Sequence, residues 1–280
     1  MRKGFLYSIT YSPEKLSYSY PVALRGDTSH FHSAMQAGYD AIELHTVNPD
    51  DLNVELITSQ LKHNKLKLSA IATGLEYSIN RLNLIDDSKE IRDATVQRLC
   101  RYVDLAGYFY CPVIVGCLRG NIPEQARGHG ERTYYEYLRD GIEQLCKYAS
   151  SKNTIILLEA INYYVNNYLN TLEDVVRWIH WTGQKNLKLH LDSHHMNIEE
   201  KDLTEAILNA GSTIGYVHFS DSNRMYPGAG NIDFSAIVAA LYEIQYAGYV
   251  SMEITPFPSP DIAAMKAISN IKDIESSFRA

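Results

Sequence analysis

The amino-acid sequence predicts an α/β fold, a single-domain (β/α)8 TIM barrel, on three observations. Eight short β-like runs recur along the 280 residues, each separated from the next by a longer stretch with helical patterning. Several of these runs are almost continuously apolar, as strands buried on both faces should be. No Pro/Gly/Ser-rich linker and no low-complexity segment interrupts the alternation. Eight alternations favour a closed barrel over an open sheet, and barrels of about 250 residues are commonly one domain. The barrel is therefore expected to span residues 1–280.

The expected strands, in order, are GFLYSIT (4–10), DAIELHT (40–46), LKLSAIATG (66–74), CPVIVGC (111–117), TIILLEA (154–160), LKLHLDS (187–193), IGYVHFS (214–220) and YVSMEIT (249–255). Amphipathic stretches lie between them. In SKEIRDATVQRLCRYVDLAGYF (88–109), Ile91, Val96, Leu99, Val103 and Ala106 fall close to one helical stripe. NTLEDVVRWIHWTG (170–183) opens with Asn170 as the expected N-cap, has Glu173 three residues on, and closes at Gly183. RGNIPEQARGHGERTYY (119–135) is expected to be a long mobile loop after the fourth strand, and a candidate lid.

Composition narrows the function classes. The net charge of −7 argues against nucleic acid as a partner, because phosphate binding needs a basic face. Cys100, Cys111, Cys117 and Cys146 form no CxxC pair and are expected to be reduced thiols of a cytoplasmic protein. The opening MRKGFLYSITYS has too short an apolar stretch for a signal peptide, and no run of eighteen apolar residues suggests a membrane span.

In such a barrel, chemistry sits at the carboxyl ends of the strands. Strand 2 offers Glu43 and His45; strand 5, Glu159 and then Asn162; strand 6, Asp192, His194 and His195; strand 7, His218, then Asp221 and Arg224; strand 8, Glu253. Each has a plainer reading: a lone Glu can start a helix, and a lone His is more often a hydrogen-bonded core residue, as His190 in mid-strand is expected to be. The joint placement of Glu159, Asp192, His218 and Glu253 on four consecutive strands outweighs these readings. Three carboxylates and one imidazole suit one divalent cation, Mn²⁺ first, with Co²⁺, Mg²⁺ and Zn²⁺ as alternatives. Without a cation, three close anions repel and some must take up protons. One of the two histidines after Asp192 is expected to touch what the metal holds.

At these residues the sequence resembles the xylose isomerase-like TIM barrel family, and within it the D-tagatose/D-psicose 3-epimerase group. LLEAIN, LDSHHMNIEE, VHFSDSNR and SMEI occur in that order, at family-like spacing. The resemblance covers the whole barrel and is strongest from strand 5 onward. It implies that Glu159, Asp192, His218 and Glu253 are the metal ligands, and that His195 (rather than His194) and Arg224 hold sugar oxygens. It also implies that Tyr7 lies against the sugar. Two positions depart from the group: Ala160 stands where it usually has Pro, and Val165 where it usually has a second Glu that contacts the substrate near its reactive carbons. That bears on whether fructose or psicose is the substrate.

The implied chemistry is proton abstraction next to a carbonyl, with a metal stabilising the enediolate. Glu159 and Glu253, from strands three steps apart, are the expected acid–base pair, giving ketose or ketose-phosphate 3-epimerisation. Returning the proton to the neighbouring carbon gives an aldose–ketose isomerase, and loss of hydroxide gives an inosose- or dehydroshikimate-type dehydratase. Arg119 after strand 4 and Gly228 in PGAGN (227–231) after strand 7 are candidate lid or phosphate contacts, since barrels often bind phosphate near the last loops. The plainer reading is a solvated charge and a chain turn. A non-catalytic sugar-binding barrel fits less well, because all four ligands are present. An endonuclease IV-like reading fails: strand 3 ends in Thr73 and Gly74, strand 4 in Cys117, and no D-R-H follows strand 7. A homodimer or homotetramer is expected from the resemblance alone.

Overall fold

The computed structural model describes residues 4–278. Eight parallel strands close a barrel: β1 Leu6–Ser12, β2 Ala41–His45, β3 Lys67–Ala72, β4 Val113–Val115, β5 Ile156–Glu159, β6 Leu187–Asp192, β7 Ile214–Phe219 and β8 Tyr249–Met252. Each pairs with its sequence neighbour, and β8 returns to β1 through Leu6↔Tyr249 to Ile9↔Met252. A two-residue strand, Leu24–Arg25, adds to β1. All eight expected strands form. The fourth is the shortest of them: Pro112 has no N–H to give the ladder, although its carbonyl still accepts from Ile71 N at 3.0 Å.

Strand alternation divides the core in two. Ile156 and Leu158 of β5 face the surrounding helices within the main apolar cluster. Leu157 between them belongs to a small separate cluster with Ala70, Ala72, Ile114 and Tyr216, which fills the barrel's interior. That plug is the floor on which the polar residues stand.

The helix Lys89–Phe109 forms where its stripe predicts, with Ser88 Oγ capping Ile91 N at 3.3 Å. The helix Leu172–Thr182 corrects one expectation. Its N-cap is Thr171, whose Oγ1 accepts from Asp174 N at 3.1 Å. Asn170 instead donates to the carbonyls of Ile161 at 2.6 Å and Asn166 at 2.5 Å, pinning the chain that follows β5. Glu173 reaches Arg177 rather than closing a capping box. Gly183 does end the helix, with φ 69°.

The expected lid is also corrected in its first part. Arg119 is fully buried, not solvated. Its Nη1 donates to Leu169 O at 3.1 Å, its guanidinium lies 5.2 Å from the Tyr168 ring centroid, and Tyr168 Oη donates to its carbonyl. Ile122 and Asn167 exchange hydrogen bonds of 2.9 and 2.8 Å. Two loops are thus sewn together. The helix Glu131–Ser151 begins inside the stretch expected to be loop.

The helix Pro260–Ser276 packs on the flank of the barrel, between the helices His30–Ala37 and Phe234–Glu243, and is tied to β1 through Glu275. This buried carboxylate accepts from Phe5 N at 2.9 Å, Tyr7 Oη at 2.7 Å and Tyr242 Oη at 2.8 Å. All four cysteines are free thiols. No helix among the described residues is long and apolar enough to cross a membrane.

Candidate active site

Each chemistry-bearing side chain occupies an inward position at the carboxyl end of its strand. Glu159 and Asp192 are the last residues of β5 and β6, His218 is the penultimate residue of β7, and Glu253 directly follows β8. The ladder registers Glu159 beside His190 and Asp192 beside His218. One ligand atom from each of Glu159, Asp192, His218 and Glu253 lies within 4.8 Å of the others. The sequence-predicted quartet is therefore brought to one point.

Local structure fixes each member. Asp192 caps the helix Ser193–Glu199, with Oδ1 accepting from His194 N at 2.8 Å and His195 N at 3.2 Å. Glu159 fits against β4 only because Gly116 has no side chain: a Cβ there would collide with Glu159 Oε2. His218 is held from behind, its Nε2 lying 2.8 Å from Glu43 Oε2 and 3.0 Å from Oε1. Its Nδ1 is buried with no hydrogen-bond partner, 3.4 Å from Glu253 Oε2 and 3.7 Å from Asp192 Oδ2.

His195 enters from the first turn after β6. Its Nδ1 lies 2.6 Å from Asn162 Nδ2. Asn162 Oδ1 accepts from Tyr164 N at 3.0 Å, so the amide donates to Nδ1, and the imidazole proton sits on Nε2. That N–H stands 3.6 Å from Glu159 Oε1, on the cavity wall. Burial pushes the pKa of His195 down to about 3, so the ring is neutral.

Arg224, at φ 61°, turns its guanidinium back over the carboxylates. Nη1 donates to Asp192 Oδ1 and Oδ2 at 2.8 and 2.7 Å and to Ser220 Oγ at 3.0 Å, while Nη2 donates to Glu253 Oε2. It supplies positive charge to two of the three anions. Glu159 has no such partner, and burial, then Glu253 and Asp192, push its pKa up to about 8. Burial opposes the charge on His218, but Glu43 and Glu253 raise its pKa well above the ordinary value.

His190 lies in the core as expected but without the expected hydrogen bond. Neither ring nitrogen has a hydrogen-bond partner among the described residues, although Nδ1 lies 4.0 Å from Glu159 Oε2, and the ring stands 4.1 Å edge-on from that of His218.

A cavity of about 300 Å³ opens over the quartet, lined among others by Glu159, His195, His218, Arg224 and Glu253. Three expected contacts do not line it. Tyr7, the second residue of β1, faces the helices and gives its hydroxyl to Glu275 at 2.7 Å. Arg119 is buried behind the wall against Leu169 and Tyr168. Gly228 donates its N–H to Asp221 Oδ2 at 2.7 Å, inside its own loop. Tyr20 is the aromatic that reaches the cavity from the segment after β1. The sequence marked Glu43, His45 and Asn162 as strand-end residues but gave them no partners. The dipeptide Gly116-Cys117 carried a signal that went unused, a glycine at a barrel mouth where a neighbouring side chain must approach.

The model of the xylose isomerase-like TIM barrel family matches residues 31–273. An L-ribulose 3-epimerase from Methylomonas sp. is 30% identical over 253 residues, covering 89% of this chain and 86% of that protein. A D-psicose 3-epimerase from Agrobacterium fabrum is 30% identical over 220 residues, 77% of this chain and 75% of that one. The crystal structure of a His-tagged D-allulose 3-epimerase from Methylomonas sp. in complex with D-allulose has a TM-score of 0.81 and 25% identity, over 97% of both chains. These similar proteins are epimerases of ketoses, enzymes of the isomerase class.

Proposed function

This chain belongs to the xylose isomerase-like TIM barrel family, and from that membership we propose that it is a divalent-metal-dependent ketose 3-epimerase. One observation carries the reading: four side chains converge within 4.8 Å beneath a cavity. Three carboxylates and an imidazole form a donor set suited to a divalent cation. The buried Nδ1 of His218 is aimed into the group with no hydrogen-bond partner among the described residues, as a metal-binding nitrogen would be. Glu159, Asp192, His218 and Glu253 are the proposed ligands. The oxygen-rich set with one imidazole suits Mn²⁺, the ion proposed first, with Co²⁺, Mg²⁺ and Zn²⁺ as alternatives. The bound ion supplies Lewis acidity, which makes the proton next to a ketose carbonyl easier to remove.

The protein groups then divide the work. Glu159 and Glu253 come from β5 and β8 and both line the cavity, so a sugar between them presents one face to each. One carboxylate takes the proton from carbon 3, and the other returns a proton to the opposite face, inverting that carbon. The Nε2–H of neutral His195 donates to a sugar oxygen. Arg224, the one arginine or lysine in the described lining, holds a second oxygen from its place across Asp192 and Glu253. That guanidinium is already engaged, and Arg119 and Gly228 lie outside the cavity, so the proposed substrate is a free ketose rather than a phosphate. A cytoplasmic enzyme accords with four free thiols. A homodimer or homotetramer is carried over from the resemblance.

The test is incubation of the Mn²⁺-loaded protein with a ketose panel in D₂O. The expected result is the 3-epimer carrying one deuterium at carbon 3, with no loss of water, and Glu159→Gln folded but at least about 10²-fold slower. An aldose product, a dehydrated product, or near-normal turnover by Glu159→Gln would each overturn the assignment.

A further inference from the structure

We infer that His190 is the positioning residue for Glu159: from inside the barrel its Nδ1–H holds Glu159 Oε2 and so aims the carboxylate at the cation and the sugar. The inference rests on the metal-site reading above and adds to it a residue that touches neither cation nor substrate.

Three of the four proposed ligands are already held by another group. Asp192 accepts from the N–H groups of His194 and His195 and from Arg224. Glu253 also accepts from Arg224, and His218 Nε2 pairs with Glu43. Glu159 accepts no hydrogen bond among the described residues. Two imidazole nitrogens stand just beyond that reach, one at each oxygen: His195 Nε2 is 3.6 Å from Oε1, and His190 Nδ1 is 4.0 Å from Oε2. His195 belongs to the cavity wall and is bonded to Asn162, so it faces the ligand. His190 is fully buried and is not part of that wall.

Register makes the second pair neighbours. Glu159 lies opposite His190 across β5 and β6, and Ala160 N donates to His190 O at 3.3 Å. Residues paired in this way share a face of the sheet, so side-chain rotation closes the gap without a backbone shift. Glu159, His190 and His218 each bring one ligand atom within 4.8 Å of the others, but His190 does not join the set of four. A cation held by the quartet therefore leaves His190 outside its ligands, beside the Glu159 oxygen nearest the barrel interior.

Both ring nitrogens of His190 are buried without a hydrogen bond. An imidazole left so costs the fold stability that an apolar side chain of the same size would not. The plug beneath offers it nothing, since Ala70, Ala72, Ile114 and Leu157 are hydrocarbon. A neutral imidazole carries one N–H, and on Nδ1 that donor faces the one carboxylate of the quartet that has none. A hydrogen bond there satisfies the ring's only donor and fixes the rotation of the Glu159 carboxyl group. Outer partners of this kind are worth about 10- to 100-fold in metal affinity or activity. Because Glu159 is also the proposed proton carrier, misaiming it should lower kcat rather than raise KM.

The experiment compares His190→Leu, which keeps the volume and removes the donor, with His190→Asn, whose amide presents an N–H where Nδ1 stands. By urea unfolding, metal-free His190→Leu should be at least as stable as the parent. It should nevertheless bind Mn²⁺ about 10-fold more weakly and lose about 10- to 100-fold in kcat with little change in KM. His190→Asn should regain most of both, even if its smaller side chain costs some stability. Beside Glu159→Ala, His190→Leu should hardly change Mn²⁺ affinity, because the group it serves is gone. Pulsed electron paramagnetic resonance of the parent's Mn²⁺ complex should show one directly bound imidazole, that of His218. Parent-like Mn²⁺ binding by His190→Leu, an equal loss in His190→Asn, or an undiminished loss beside Glu159→Ala would each overturn the inference. Two imidazoles on the ion would overturn it as well, by making His190 a ligand. If the parent turns over no ketose, the epimerase reading fails alone, and the Mn²⁺ affinities still decide the part played by His190.

Discussion

Glu43 and His218, 175 positions apart in the chain, form a buried carboxylate–imidazole pair across the barrel's interior, with 2.8 Å between Oε2 and Nε2. Tyr216 Oη, 3.0 Å from Glu43 Oε2, and His45 Nε2, 2.8 Å from Oε1, complete the carboxylate's partners. Burial disfavours the anion, but His218 and then His45 hold the Glu43 pKa well below the usual carboxylate range. The pair fixes the imidazole's orientation, so that Nδ1, rather than Nε2, points at Asp192 and Glu253. This is the geometry in which an outer carboxylate orients a metal-binding histidine and raises its basicity.

Glu43→Gln should therefore weaken Mn²⁺ binding by about 10- to 100-fold while leaving the barrel folded, because the amide keeps the shape but not the charge. Titration calorimetry with Mn²⁺ on the metal-stripped variant, beside its far-ultraviolet dichroism, checks this. A dissociation constant equal to that of the parent would show that Glu43 only fills the barrel.

Metal removal should make stability fall with rising pH between about 6.5 and 8. Glu159 has an ordinary value of 4.5 and is pushed up to about 8 by burial, Glu253 and Asp192. A folded-state pKa raised above the unfolded one gives stability that is complete at low pH and lost as pH climbs through the folded value. His218, also raised, acts in the same direction. His190 and His195 are lowered and act oppositely, but only below their ordinary value of 6.5. Across this window Glu159 should cost roughly 2 kcal/mol. Urea unfolding of the EDTA-treated protein at pH 6.5 and pH 8 measures the loss, and saturation with Mn²⁺ should flatten it. A metal-free protein equally stable at both pH values would mean that Glu159 is ionised without a cation.

The strands and the quartet were legible because the barrel's logic is local: an apolar run followed by a ligand-type residue marks both a strand and its functional end. What lay beyond reach depended on faces and on distant partners. Every residue of GFLYSIT is tolerable on either face of a strand buried on both sides, so the alternation that turns Tyr7, Ile9 and Tyr11 toward the helices is not written in the run itself. Arg119 reads as solvated until the segment after β5 folds over it and Leu169 O accepts from it. Asn170 and Thr171 are both good caps, and the choice fell to Thr171 only because Asn170 is needed at Ile161 and Asn166. The Glu43 carboxylate was visible at a strand end, but its partner lies on the far side of the barrel.

Gly116 offers a test that touches no titratable group. It follows β4 at the cavity wall, and an added methyl would overlap Glu159 Oε2 and approach Ile161 Cδ1 to 3.5 Å. The clash is with the end of a side chain, so Glu159 can relieve it by swinging away at little cost to folding. Gly116→Ala should thus lower the melting temperature of the metal-free protein only modestly. It should lower turnover at least about 10²-fold, because displacing a reacting group by an ångström is enough for that. Mn²⁺ affinity should fall with it. Thermal unfolding, metal titration and kcat on the same preparation separate the effects. Unimpaired turnover in a variant that binds Mn²⁺ normally would show that Glu159 has room to spare, and would remove the close approach of β4 and β5 from the account of the site.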